Sequence, residues 1–286
     1  MLESLINPKR AEKGPWKMFF IGLLYASLSV LLVHFLFKDD SIFAKFSGLL
    51  VVLFCVMFSL PFMYYSIRNE EIEDEEVEGL RGVLKVHSDA ILAFMWLFFG
   101  FIIALSVWYI ILQDSNLLNI QIETYCSINN PGDISGCVSD YAFTGEAVSS
   151  EGLSNEMRFL SIVGNNFGVM IFTLLFSLIF GAGAIFILAW NASVISAAIG
   201  IFTKYNLQEV PFGILRYMIH GFPEIAAYFI TALAGGIFGF GVARHKVGDE
   251  KFLRVLGNVL VLVTIALIIL MIAALMEVYL TPIFFE

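Results

Sequence analysis

The sequence predicts an all-α, polytopic membrane protein with about seven transmembrane segments and a broken helix around residues 211–224. Three observations carry that prediction. The 286 residues are 59% hydrophobic and only 14% charged, with a mean hydropathy of +0.86. Soluble chains are nearer 45–50% apolar and about 25% charged, so this surplus cannot be hidden in one water-facing globule. The apolar residues also fall in long uninterrupted runs, as a helix crossing about 30 Å of hydrocarbon needs roughly 20 of them. Finally, the cations are distributed unevenly between the loops. This composition excludes a cytosolic enzyme, a nucleic-acid binder and a disordered chain.

The segments follow in order. Residues 1–17 form a cytoplasmic N-terminal segment. Residues 18–112 hold three spans, Met18–Phe37, Phe46–Ile67 and Ala90–Leu112, none containing an acid or a Lys or Arg. Met18–Phe37 is too long, and too soon followed by another span, to read as a cleaved signal peptide. An acidic cytoplasmic loop, 68–89, separates the second and third spans. Its stretch Glu70–Glu78 carries seven of the 25 acids (Glu70, Glu71, Glu73, Asp74, Glu75, Glu76 and Glu78), so the net charge of −9 reports mostly one local run. That run reads as a solvated charged face, or as a docking site for a basic partner.

Residues 113–164 form an external loop, rich in Ser, Asn, Gly and Asp. Cys126 and Cys137 lie there, eleven positions apart, and read as a disulfide or as two free thiols. The loop has no His to complete a zinc site. Asn165–Thr203 runs 39 residues without a charge, too long for one crossing, and predicts two helices joined by a turn at Gly181–Gly183. A short helix at Phe212–Ile219, a break at His220–Glu224 (HGFPE), a span at Pro223–Ala243 and a final span at Val255–Met276 complete residues 165–286. With seven spans and an inside N-terminus, eleven Lys and Arg lie on the cytoplasmic side and five outside. The positive-inside bias therefore places the N-terminus in the cytoplasm and the C-terminus outside, in the cell membrane.

Ionisable groups at membrane depth are costly, and so are candidates for function. The topology puts Asn165, Asn166, Arg216, His220, Glu224 and Glu277 at one outer level. Three readings compete for them. They form a buried polar latch between helices, a substrate or ion pathway built on a broken helix, or ligands of a metal-dependent hydrolase. The third lacks the paired histidines of HExxH. Small residues at helical spacing (Gly235xxxGly239, and Ala192xxxSer196xxxGly200) predict close helix packing, as does the Gly181/Gly183 turn. No Walker A, GxSxG or CxxC motif is present.

The second half is similar to the stage II sporulation protein M (SpoIIM) family. The residues that carry the likeness are Asn165–Asn166, the Gly181/Gly183 turn, Asn191, HGFPE, Gly235–Gly236 with Gly239, and Ala273–Ala274, Glu277 and Thr281–Pro282. The opening NPKRAEKGPW (Asn7–Trp16) resembles archaeal members. The resemblance implies a non-catalytic membrane anchor or scaffold, with no cofactor, whose partners are the bilayer and other membrane or envelope proteins. Self-association as a homo-oligomer is expected, and nucleic acid is not. A more distant likeness to permease subunits of ABC-2 type transporters implies the alternative, a transport subunit needing a separate ATPase.

Overall fold

The computed structural model describes residues 14–40, 42–74, 77, 79–114, 116–129, 133–141, 155–180, 185–246 and 248–285. Among these there is no strand. Seven helical stretches are long and apolar enough to cross a membrane. They are built on α1 (Lys17–Phe37), α2 (Ser47–Asp74), α3 (Leu80–Leu112), α6 (Asn155–Phe180), α7 (Ile185–Phe202), α8 (Val210–Arg244) and α9 (Glu250–Leu275). Two shorter helices, α4 (Asn119–Asn129) and α5 (Ile134–Tyr141), lie between α3 and α6. A π-helical turn, Met276–Leu280, leads from α9 into α10 (Thr281–Phe285).

Several boundaries differ from the sequence reading. Residues 211–224 are not broken, because α8 runs unbroken through Pro223 for 35 residues. A proline within a spanning helix frees one carbonyl from its partner, and packed neighbours tolerate that locally. The acidic stretch 68–89 is largely not a loop: α2 carries on through Asp74, and α3 begins at Leu80. The stretch 113–164 is likewise partly helical, holding α4, α5 and the start of α6. The predicted turn at Gly181 and Gly183 lies outside the described residues, between the ends of α6 and α7.

The lengths explain where polar ends project. The 28 residues of α2 measure about 42 Å, more than a hydrocarbon core of about 30 Å. Its apolar run ends at Ile67, so Glu70–Asp74 stand beyond the span. The 33 residues of α3 overreach in the same way, leaving Leu80–Asp89 beside them.

Glycines set the closest approaches. Gly22 of α1 and Gly100 of α3 face each other, and a Cβ on either would strike backbone of the other helix. A Cβ on Gly235 of α8 would lie 2.6 Å from the Leu174 carbonyl of α6, and one on Gly239 would lie 2.5 Å from the Leu178 carbonyl. Only backbone without side chains fits there, which is how small residues bring spans together in lipid. Gly200 of α7 instead abuts the Tyr109 ring of α3. The core joining these helices is apolar and aromatic, with Phe94, Phe101, Tyr228 and Phe229 fully buried.

Cross-helix polar contacts sort the helix ends into two groups. Arg244 and His245, at the end of α8, meet Glu71 of α2. At the other end His34 lies 3.2 Å from Asp114, and Tyr109 hydrogen-bonds Tyr205 at 3.1 Å. Cys126 and Cys137 are joined in a disulfide that ties α4 to α5, with Cα atoms 5.8 Å apart.

Candidate functional site

Helix periodicity aligns His220, Glu224 and Tyr228 along one face of α8, since residues four apart stack on successive turns. Glu224 accepts a hydrogen bond from the Tyr228 hydroxyl at 2.9 Å. His220 Nδ1 lies 3.1 Å from Thr281 Oγ1, which joins α8 to the last helix. The π-helical turn that includes Glu277 directly precedes Thr281. One extra residue in a turn re-aims the side chains that follow, and such turns recur at functional positions.

Asn166 of α6 is buried and faces the Glu224 carboxyl. Its Oδ1 accepts from Asn165 Nδ2 at 3.2 Å, whereas its own Nδ2 makes no hydrogen bond. Asn165 itself lies on the exposed side of α6. Glu277 is within electrostatic reach of both Glu224 and Arg158. Asn166, His220, Glu224 and Glu277 thus share one neighbourhood among α6, α8 and the C-terminal turn. The Arg216 guanidinium lies 4.9 Å from the centre of the Phe202 ring. That is a cation–π arrangement, and the same cation lies within electrostatic reach of His220.

No group of three or more His, Cys, Asp or Glu among the described residues is arranged to hold a metal ion. An apolar groove of about 480 Å³ runs between α3 and α8, lined by residues such as Trp96, Phe99, Met218 and Phe222. His220, Glu224 and Glu277 do not line it.

A second polar cluster occupies the opposite end, and the sequence reading missed it. Glu70, Glu71 and Asp74 are buried, although they belong to the run expected to be solvated. Glu73 of the same run is exposed, while Glu75, Glu76 and Glu78 lie outside the described residues. His87 of α3 is fully buried between two of the acids. Its Nδ1 is 2.6 Å from Glu70 Oε2, and its Nε2 is 3.0 Å from Asp74 Oδ1. Burial alone disfavours charge on this ring; the hydrogen bonds to Asp74 and Glu70 outweigh it and favour the protonated form.

Glu71 takes an ion pair from Arg244, and His245 Nε2 stands 3.7 Å from its other oxygen. Asn258 Nδ2 of α9 donates to the backbone carbonyls of Asp74 and Val77, at 3.3 and 3.0 Å. The signal was present in the spacing. Positions 70, 71 and 74 fall on one helical face, and the same face buries Ser66, Ile67 and Met63.

The fold and its two polar clusters define a polytopic helical membrane protein whose charged groups tie helices together at both ends. The chain belongs to the stage II sporulation protein M (SpoIIM) family, whose model matches residues 18–282. It is also similar to an uncharacterised protein of Methanocaldococcus jannaschii, with 31% identity over 145 residues. That match covers 47% of this chain and 80% of the relative. No solved structure matches the chain.

Proposed function

We propose that this protein is a non-catalytic membrane scaffold that anchors envelope-associated partners, with its N-terminus in the cytoplasm and its C-terminus outside. The observation that carries this reading is the use made of the intramembrane polar groups. Thr281 of the last helix engages His220 of α8, and Asn166 of α6 faces Glu224 of α8, so these groups are spent on holding helices together, while Tyr228 satisfies Glu224 within α8. A latch of this kind needs no cofactor. The distribution of cations supports the orientation, because Arg244 and the acidic end of α2 meet on the side richer in Lys and Arg. Other membrane or envelope proteins are the expected partners, together with a second copy of the chain.

A permease-like subunit is the second reading, favoured by the proximity of Glu224 and Glu277 at membrane depth. Glu224→Gln and Glu277→Gln separate the two. In a scaffold both variants fold, and the set of co-purified partners changes. In a permease both variants fold, partners are kept, and solute or ion flux in proteoliposomes is lost.

A further inference from the structure

We propose that Glu70, Asp74 and His87 bind one proton in common, carried on the doubly protonated imidazole, and that this proton clasps α2 to α3. The ring geometry requires a shared proton. A neutral imidazole has one donor and one acceptor nitrogen, while an ionised carboxylate only accepts. Here both ring nitrogens face carboxylate oxygens, at 2.6 and 3.0 Å, from acids one turn apart on α2. With two ionised carboxylates, both contacts are hydrogen bonds only when both nitrogens carry hydrogen.

The surroundings add to the need for positive charge. Glu71 Oε1 and Asp74 Oδ2 are buried without a hydrogen-bond partner, on residues with 0% exposure. Buried acceptors left open are costly, and they favour keeping a proton nearby.

Each packed element can be checked for charge. From α2, Glu70, Glu73 and Asp74 face the site, and Asp89 of α3 acts with Glu73 on Glu70. From α8, Arg244 and His245 face Glu71. The contact from α9 is the neutral Asn258, whose helix also carries Glu250, Lys251 and Arg254 at its start. α7 carries no charged residue, and α1 carries Lys17 in its first turn. Three buried carboxylates thus face one guanidinium and the rings of His87 and His245, and removing the proton deepens the excess of negative charge. Without it, the ring donates to only one of the two acids, and the other loses its tie to α3.

The sign follows from linkage. The folded state favours the charged ring, so the stability it confers is present at low pH and is lost as pH rises above the ordinary imidazole range. One proton changes the unfolding equilibrium constant by at most about ten-fold per pH unit.

The test uses the full chain in lipid nanodiscs with ¹⁵N-labelled histidine, observed from pH 6 to 9. His87→Gln assigns the ring signals, and thermal unfolding is followed on both proteins. The expected result is a His87 ring protonated on both nitrogens at pH 6, losing one proton as pH rises. Over the same range the wild-type Tm falls more steeply than that of His87→Gln. A neutral ring at pH 6, or parallel Tm curves, overturns the proposal. If His87→Gln does not fold, Asp74→Asn replaces it. The ring should then deprotonate at lower pH than in the wild type, and an unchanged titration overturns the proposal equally.

Discussion

Glu71 and Arg244, 173 positions apart in the chain, form an ion pair in which the carboxylate is wholly buried and the guanidinium side chain is 44% exposed. The pair fixes the far end of α8 against the end of α2, so both ends lie on one side of the bundle. Positive charge at the C-terminus of α8 also suits the negative end of its helix dipole.

Arg244→Met should leave Glu71 buried without its guanidinium partner, with the His245 ring beside it. Removing one partner of a fully buried pair costs about 3–5 kcal/mol, and the exposure of Arg244 brings the expected loss down to about 2 kcal/mol. Thermal unfolding in detergent measures it. The double variant Glu71→Met with Arg244→Met should recover most of the loss, because the stranded charge is gone.

The α6–α8 approach makes a contrasting prediction. Gly239→Val places side-chain atoms on the Leu178 carbonyl and should separate the two helices, so that folded yield is lost. Gly164→Ala meets nothing within 4 Å and should be neutral, or stabilising by up to about 1 kcal/mol through helix propensity. Size-exclusion profiles and Tm of the two variants check both outcomes.

The disulfide between Cys126 and Cys137 closes a short segment, and the chain-entropy model assigns it about 3 kcal/mol. Cys126→Ser with Cys137→Ser should lower the Tm by a matching amount. Reductant should lower the Tm of the wild type and leave that of the double variant unchanged.

Tyr228→Phe removes the hydrogen bond that the Tyr228 hydroxyl donates to Glu224 Oε1 and should cost about 1 kcal/mol. Glu224→Gln should cost less, since the amide oxygen still accepts from Tyr228. A Tm ranking of the two variants against wild type checks this bond within α8.

The spans were legible because apolar length is a one-dimensional property: Met18–Phe37 and Ala90–Leu112 can be read without knowing any neighbour. Pro223 was misread because a local rule, that proline ends a helix, gives way when α6 and α9 pack around α8. The neighbourhood of His220, Glu224 and Glu277 followed from topology alone, by asking which helix ends share a membrane level. The contact of Arg216 with Phe202 did not, because nothing in the sequence says that its side chain lies over that ring. The buried acids at the other end stayed hidden for a related reason. A run of seven carboxylates looks solvated when averaged, and only the partners His87, Arg244 and Asn258, brought in from three other helices, show which of its faces is inside.

A scaffold and a transport path put the cluster of Asn166, His220, Glu224 and Glu277 to different uses. The most direct measurement is crosslinking in native membranes, followed by purification of the chain and mass spectrometry of what it holds. It compares the wild type with Glu224→Gln and Glu277→Gln. A scaffold should hold a reproducible set of membrane or envelope proteins in the wild type, altered in the folded variants. Capture of an ATPase subunit alone, equally by all three proteins, would contradict it.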